Sequence, residues 1–395
     1  MRLSEPGRGL AIRPLWRLGF RPFFLAGSAF AVLAIALWAV LLNGGLAAWQ
    51  PTGGSLAWHR HEMPFGFGAA IIAGFLLTAV QNWTGRPGLS GQPLALLFLL
   101  WLGARLTWLL PVPLALLIAA QLAFLPALAV ILGVQLHAVR QRHNYPIVLV
   151  LTLMTLCQAQ ALYGLALGDD ELQRRGVLAA LWLVAALIGI IGGRVIPFFT
   201  QRGLGLSQPA RSSPMLDKLG LACALLIAGL TAAGCNQLRI PGLAPLFLLL
   251  VALHGLRLWR WYQRGIWRVP LLWSLHLAYA WLALAAVGMA AWHLGLLEQP
   301  SLATHALAVG GMGGLILAML ARVSLGHTGR PLQPPMAITW AFAALHLGAL
   351  SRVLLVPFLS AGLWLAALAW IAAFLLFLRH YAPMLCQPRP DGQPG

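Results

Sequence analysis

The chain has 395 residues, of which 60% are hydrophobic and only 9% are charged. A soluble domain carries about 25% charged residues, so this composition excludes an ordinary soluble protein and indicates a polytopic membrane protein. The formal net charge of +18 would suit a nucleic-acid partner, but the basic residues are spread among the connections between apolar segments and form no basic face, so nucleic acid is excluded as the main partner. The four cysteines lack CxxC spacing and therefore predict neither a disulfide framework nor a thiolate metal cluster.

Apolar runs bounded by Gly, Pro and charged residues predict an all-α protein with twelve transmembrane helices and short connections. The basic N-terminal arm is followed by an apolar run too long for a cleaved signal peptide, so we expect it to be retained as the first helix. The predicted helices span residues 23–43, 61–82, 92–110, 112–137, 145–168, 176–199, 215–236, 241–259, 269–293, 301–324, 335–356 and 358–379.

The distribution of basic residues predicts the orientation in the membrane. An even number of helices puts both termini on one side, and most of the 26 Lys and Arg residues lie on that side, in the N-terminal arm and after helices 2, 4, 6, 8 and 10. The opposite side carries Asp169, Asp170, Glu171 and Glu298. Because positive loops face the cytoplasm, we expect cytoplasmic termini and a multi-pass protein of the bacterial inner membrane, surrounded by the lipid bilayer.

Helices 2 and 10 carry a repeated sequence. The segment WHRHEMPFGFGAAIIAGFLLTAVQNWTGR begins at Trp58, and HALAVGGMGGLILAMLARVSLGHTGR begins at His305. His61 and His305 each precede a Thr-Gly-Arg-Pro turn by 23 positions, and the same offset aligns Gly66 with Gly310. The two helices therefore present a histidine at one end and an arginine turn at the other.

Weaker matches extend the repeat to the whole chain. Helix 6 ends in a similar Thr-Gln-Arg-Gly turn at Thr200, and the HAVR motif that starts at His137 resembles the HGLR motif that starts at His254. These offsets predict a single transmembrane domain, 1–395, built from a four-helix unit used three times. The predicted repeats are approximately 1–137, 138–260 and 261–395.

His61 and His305 are expected at matching depths near the outer face. Ionisable side chains within a bilayer are costly and indicate function, and two neutral imidazoles suit the axial ligation of a haem iron. Gly310 and Gly314, below His305, would give a porphyrin a flat surface. The alternative interpretation is that such small residues simply let helices pack closely.

Other residues near the outer face have two interpretations each. Arg60 and Arg105 would pair with haem propionates or extend to the interface. His59 would bind a second metal together with His293, or lie solvated at the interface. Glu62 would orient a ligand or accept protons, or simply begin the helix, where its charge complements the helix dipole.

A second candidate metal site lies at the inner end. His254 and His276 are expected at the same depth on consecutive helices, and Tyr279 is one turn from His276. Imidazole suits copper, zinc or haem iron, and His327 would complete such a site. The alternative is that these histidines form hydrogen bonds between helices.

Five segments together resemble the signature segments of the NnrS family: WHRHEMPFGF, NWTGRPG, GGRVIPFFT, LHLAYAWL and HALAVGGMGG…RVSLGHTGRPL. They spread from Trp58 to Pro331, so the resemblance covers nearly the whole chain. It implies a bacterial inner-membrane protein that contains haem and copper and is associated with denitrification and protection against nitric oxide. The family's histidines fall here on the candidate metal ligands His59, His61, His254, His276, His305 and His327, and the family name does not say which of them binds which metal.

The three-times-four arrangement also resembles subunit I of the haem-copper oxidases, which include nitric oxide reductases. In that fold helices 2 and 10 supply the axial ligands of the low-spin haem, and His61 and His305 match that placement. The binuclear centre of that fold takes histidines from helices 6 and 7, which have none here. Catalytic reduction of oxygen or nitric oxide is therefore less expected, and no catalytic residue is predicted.

Three functions follow as hypotheses. The leading one is a protein that binds copper and a b-type haem and protects the cell against nitric oxide. The first alternative is a divergent nitric oxide reductase or quinol oxidase, with a quinol or another electron donor as partner. The second is a transporter of metal, haem or a small solute, although the repeats are parallel, whereas secondary transporters commonly carry inverted ones.

Overall fold

The computed structural model describes residues 10–46, 49–208 and 213–393, and these residues form helices and connections without a strand. Within those residues, twelve helices are long and apolar enough to cross a membrane. We number them in chain order: α1 Phe20–Leu42, α2 Gly54–Thr84, α3 Gly91–Leu109, α4 Leu114–Ala138, α5 Arg142–Leu167, α6 Asp170–Leu204, α7 Pro214–Ala232, α8 Pro241–Trp261, α9 Pro270–His293, α10 Pro300–His327, α11 Met336–Leu355 and α12 Ala361–Cys386.

The predicted all-α architecture and all twelve membrane helices are confirmed. The first nine residues of the basic arm, and residues 209–212 of the basic loop after α6, lie outside the described residues. The orientation of the termini and the three repeats remain predictions.

The largest errors in the predicted bounds occur at the starts of α2 and α6 and at the end of α12, which continues to Cys386 instead of ending at residue 379. The sequence predicts that α6 begins at residue 176, whereas the helix begins at Asp170. Glu171 forms ion pairs with Arg174 at 2.7 Å and with Arg175 at 3.1 Å, one turn along the same helix. Such pairs stabilise a polar turn of helix that lies beyond the apolar part. Hydropathy detects only the apolar part, so the polar turn was missed.

Two compact units make up the described chain. The first, unit 1, comprises Met1–Val177, Leu320–Gln333 and Phe374–Gly395. In it α1 packs on α2, α3 packs on α4, and α4 packs on α5. The N–H of Phe20 donates a hydrogen bond to Oγ1 of Thr78 at 2.9 Å, which joins the start of α1 to α2.

The second compact unit, unit 2, comprises Leu178–Met319 and Pro334–Ala373. In it α9 packs against both α8 and α10, and α11 packs on the π-helical part of α10. Small residues permit these close approaches: a methyl group on Gly288 of α9 would lie 2.8 Å from Cβ of Ala303 in α10.

Both α2 and α10 contain a π-helical segment, and each segment begins directly after a histidine. His61 is followed by the π-helix Glu62–Gly68, and His305 by the π-helix Ala306–Gly313. A π-helical turn widens the helix and frees backbone carbonyl groups, and such turns are frequent at functional sites. In α2 the turn also accommodates Pro64, which has no N–H to donate.

The course of α2 corrects two predictions. The helix begins at Gly54, so Glu62 lies well inside it, and the interpretation of Glu62 as the residue that begins the helix is wrong. The predicted start of this helix at residue 61 is likewise wrong. Both errors arise because the polar residues before His61 hide the helical start from an apolar-segment search.

Candidate functional site

His61 is held in one orientation by its neighbours in unit 1. It is 1% exposed, and its Nδ1 lies 3.0 Å from Oε1 of Glu62. Because a carboxylate only accepts hydrogen bonds, Nδ1 carries the proton and Nε2 carries the lone pair. The side-chain amide of Gln158 donates to that Nε2 at 3.3 Å. The rings of Phe65 and Trp108 pack on the imidazole with centroids 5.0 and 5.5 Å away.

Glu62 also takes part in a buried ion pair, which explains how a carboxylate stays charged inside a membrane helix. Its Oε2 lies 2.5 Å from Nε of Arg105, and the two side chains are 1% and 6% exposed. Arg105 donates a further hydrogen bond from Nη2 to Gln121, whose amide donates to the carbonyl oxygen of Ala104. Gln121 of α4 also donates to the hydroxyl oxygen of Thr107 in α3. The ion pair is thus part of a polar network that includes these two further side chains.

The π-helical segment after His61 is integrated into the same unit. Trp101 of α3 donates its indole N–H to the carbonyl oxygen of Gly66 at 2.8 Å, which satisfies a group in the widened turn. Three other polar atoms near His61 are buried without a hydrogen-bond partner in the described chain, namely Oε1 of Gln158, Nε1 of Trp108 and Nη1 of Arg105. Buried polar atoms are normally paired, so this surplus is typical of a ligand site.

His305 shows the same hydrogen-bond pattern in unit 2. Its Nδ1 donates to the carbonyl oxygen of Ser301 at 2.7 Å, one turn earlier in α10. Its Nε2 accepts a hydrogen bond from Nη2 of Arg352 at 3.3 Å. Arg352 lies in a third π-helical segment, Ser351–Leu355, at the end of α11.

The two histidines therefore share a tautomer that suits metal ligation. In each, Nδ1 is committed to an oxygen acceptor, and Nε2 keeps a lone pair that meets only one long hydrogen bond. Metal-bound histidines generally have this second hydrogen bond, which fixes the ring. His61 belongs to unit 1 and His305 to unit 2, and their predicted pairing on one iron remains a prediction.

The glycines below His305 have a packing role. A methyl group on Gly310 would overlap the indole ring of Trp281, and one on Gly314 would lie 2.9 Å from Cε1 of His346 and 3.0 Å from Cβ of Ala278. The surface predicted to face a porphyrin is thus covered by side chains of the same unit. The chemistry of the histidine nitrogens fits a haem iron, whereas Gly310 and Gly314 fit the alternative interpretation of close packing.

Comparison with protein families accounts for the whole set of motifs. The family model described as NnrS protein matches residues 14–389, which is nearly the full chain. The chain belongs to the NnrS family. No curated protein matches it. Membership fits a protein of the nitric oxide response.

The second candidate site of this NnrS family member, at His254 and His276, contains a buried network in unit 2. His254 is 3% exposed, and its Nδ1 lies 2.9 Å from the hydroxyl oxygen of Tyr279. The same hydroxyl accepts a hydrogen bond from Nη1 of Arg257 at 2.7 Å. Arg257 also donates to the carbonyl oxygen of Gly189 and forms an ion pair with Asp217. Tyr279, which the sequence places one turn from His276, thus contacts His254 through this hydrogen bond.

His276 is buried close to that network. Its Nδ1 donates to the carbonyl oxygen of Leu272 at 2.9 Å. Its Nε2 is buried beside the backbone of Trp261 without a hydrogen bond of normal geometry to any described residue. His276 therefore also presents a ligand-type tautomer, with Nε2 as the available atom.

The remaining predicted metal ligands lie in unit 1. The ring of His327 packs on Phe20 with centroids 5.6 Å apart, and its carbonyl oxygen accepts a hydrogen bond from Arg389. His59 stacks on Trp38 with ring centroids 4.4 Å apart. Among the residues that the structure describes, no three His, Cys, Asp or Glu side chains gather into a group that could hold a metal ion.

Two residues of the predicted outer site have protein partners. Arg60 forms an ion pair with Asp170 at 2.5 Å in unit 1. His293, in unit 2, accepts a hydrogen bond from the N–H of Ile240 and donates one to the side chain of Asn236 at 2.9 Å. Both ring nitrogens of His293 are thus hydrogen-bonded within unit 2, as are those of His61 and His305 to their own partners, so a metal at His293 would have to displace one of these bonds.

The sequence interpretation missed three polar residues that contact the histidines or their partners. Gln121 and Gln158 lie in otherwise apolar helices, and an amide within a membrane helix is a signal that could have marked them. Arg352 appeared in the sequence only as one more charge of the outer face. Its approach to His305 depends on the π-helical turn at the end of α11, which no sequence pattern indicates.

Proposed function

We propose that this NnrS family member is a haem- and copper-binding protein of the bacterial inner membrane that protects against nitrosative stress during denitrification. The observation that carries the proposal is the matched pair of histidines, His61 and His305. Each precedes the same Thr-Gly-Arg-Pro turn by 23 positions, lies directly before a π-helical segment, and has an Nε2 whose lone pair accepts one hydrogen bond of 3.3 Å that a metal would replace. The family match supports the link to nitric oxide.

His61 and His305 are the proposed axial ligands of a b-type haem, through their Nε2 atoms. Glu62 and the carbonyl oxygen of Ser301 hold the two rings in orientation, and their hydrogen bonds increase the basicity of each imidazole. Arg105 neutralises Glu62, so the carboxylate orients His61 without leaving an unpaired charge.

Copper is assigned to the inner histidines, His254 and His276. His276 offers a buried Nε2, and the ring of His254 is fixed by Tyr279. Imidazole is a preferred ligand of copper. A bound haem and copper would supply electron transfer and a site for nitric oxide, whereas the protein supplies the ligands and a dry environment.

Metal and haem content of the purified protein tests the proposal. The wild-type protein is expected to show a Soret band and to contain both haem and copper. His61→Ala and His305→Ala are each expected to lose the haem band and keep copper, whereas His276→Ala is expected to lose copper and keep the band. His137→Ala, an exposed histidine at the end of α4, is the matched control and is expected to keep both.

Growth under a nitric oxide donor gives the cellular readout. A strain that carries the haem-free variants is expected to be as sensitive as a strain without the gene. A wild-type protein with neither haem nor copper after expression with both supplied would contradict the proposal. So would full protection of cells by the His61→Ala and His305→Ala variants.

A further inference from the structure

Arginines from three helix ends meet in unit 1, away from the histidines that the proposed function assigns to haem. Arg21 is the second residue of α1, Arg330 follows α10, and Arg389 follows α12. Arg17, Arg330 and Arg389 all lie close enough to Arg21 for their like charges to repel it. The segments before α1 and after α12 are thus brought together around a concentration of positive charge.

Arg21 is the buried centre of this arginine cluster. Its side chain is 0% exposed. Nη1 donates hydrogen bonds to the carbonyl oxygens of Leu385 at 2.9 Å and Gln387 at 2.8 Å, at the end of α12. The other two nitrogens, Nε and Nη2, are buried and have no hydrogen-bond partner in the described residues. A buried guanidinium group with two unpaired N–H directions needs an acceptor with negative charge.

Asp391, two residues after Arg389, does not supply that acceptor. Asp391 is bound by Arg389, from Nε at 2.9 Å and from Nη2 at 2.5 Å. The hydrogen bond from Arg389 lowers the pKa of Asp391 to about 2, so its single negative charge is present at neutral pH and already engaged. Arg330 makes a hydrogen bond from Nη1 to the carbonyl oxygen of Thr328 at 3.4 Å, and this acceptor carries no formal negative charge.

The geometry suits a tetrahedral anion at the membrane surface. Arg21, Arg330 and Arg389 belong to the ends of three apolar helices, the level at which lipid headgroups lie. A guanidinium group presents parallel N–H donors that match phosphate oxygens, and one phosphate has enough oxygens for several arginines. Basic pockets between membrane helices bind anionic headgroups for this reason.

We propose that Arg21, Arg330 and Arg389 form a binding site for a phosphate group, between the start of α1 and the ends of α10 and α12. Arg21 supplies its two buried unpaired donors, and the half-buried Arg330 and Arg389 supply the entrance. The phosphate compensates the charge of Arg21 and joins the two terminal segments of the chain. This site is separate from the proposed haem ligands and does not depend on them.

Binding to the purified full-length protein tests the site. The probes are phosphatidylglycerol, a neutral galactolipid with the same acyl chains, and inorganic phosphate. Arg330→Gln is expected to weaken phosphate binding about tenfold, the equivalent of one charge-assisted hydrogen bond. Arg86→Gln is the matched control, because Arg86 follows the corresponding Thr-Gly turn after α2 and is exposed. It is expected to bind as the wild type does.

Arg21→Gln is a second variant, since it removes the two unpaired donors as well as the bonds to α12. Its helical content by circular dichroism and its midpoint of thermal unfolding, compared with those of the wild-type protein, show whether it has folded. If both arginine variants lose binding of phosphatidylglycerol, the phosphate group is that of a lipid. If they lose binding of inorganic phosphate and the wild-type protein shows no preference for phosphatidylglycerol over the galactolipid, the phosphate is a free ion. Two results would overturn the proposal. One is that the wild-type protein binds phosphatidylglycerol and the galactolipid equally and does not bind inorganic phosphate. The other is that binding is unchanged in Arg330→Gln and in folded Arg21→Gln.

Discussion

Neutralising Glu62 tests whether its ion pair with Arg105 holds the His61 site together. Glu62→Gln keeps the size of the side chain but removes the negative charge that pairs with Arg105. Both side chains are almost fully buried, with Glu62 1% and Arg105 6% exposed, so the charge of Arg105 is left buried and unpaired. Removing one partner of a buried ion pair costs about 3–5 kcal/mol. Because the new amide still accepts a hydrogen bond, we expect a loss near 3 kcal/mol in the free energy of unfolding.

A double-mutant cycle separates the pair from other effects. Arg105→Met is neutral and of similar length, and the double variant leaves no unpaired charge, so it is expected to cost at least about 2 kcal/mol less than the sum of the single variants. The assay is unfolding in detergent, followed by circular dichroism. Running the cycle in a His305→Ala background, which keeps His61 and its bond to Glu62, removes any contribution from the proposed haem. Single variants whose costs simply add would refute the reasoning, as would a cost below about 1 kcal/mol for Glu62→Gln.

Two further substitutions have matched controls. Gly310→Ala would overlap the ring of Trp281 and is expected to cost about 1–3 kcal/mol, whereas Gly255→Ala, with open space around it, is expected to be neutral or stabilising; equal thermal stability of the two would contradict the packing role. Tyr279→Phe removes a hydroxyl that bonds two buried residues and is expected to cost about 1–3 kcal/mol. Tyr163→Phe changes an exposed tyrosine and is expected to have no effect on unfolding, so a similar loss in both would refute the importance of the buried network.

The fold was predictable from the sequence because apolar length alone identifies a membrane helix. Each of the twelve segments is separated from the next by Gly, Pro or charged residues, and the structure changes only where the helices begin and end. The start of α2 at Gly54 and that of α6 at Asp170 were missed because polar or charged residues occur within the first two turns of each helix and interrupt the apolar run. Those turns are stabilised by ion pairs and by packing within unit 1, which hydropathy does not report.

The site was predictable only in part. Spacing singled out His61 and His305, and the structure adds that both precede π-helical turns and share a tautomer. The partners of those rings could not be predicted, because Gln158 comes from a distant helix and Arg352 from a π-helical turn. Gly310 was assigned to a porphyrin surface because the sequence shows that glycine leaves space beside the helix. It does not show that the ring of Trp281 fills that space.

Electron paramagnetic resonance of the oxidised, purified protein tests the central claim most directly, namely that His61 and His305 ligate one haem iron. The account predicts a low-spin signal typical of two imidazole ligands in the wild-type protein. Each single variant, His61→Ala or His305→Ala, is predicted to convert that signal to high spin or to lose it, and His137→Ala to retain it. An unchanged low-spin signal in either single variant would contradict the account.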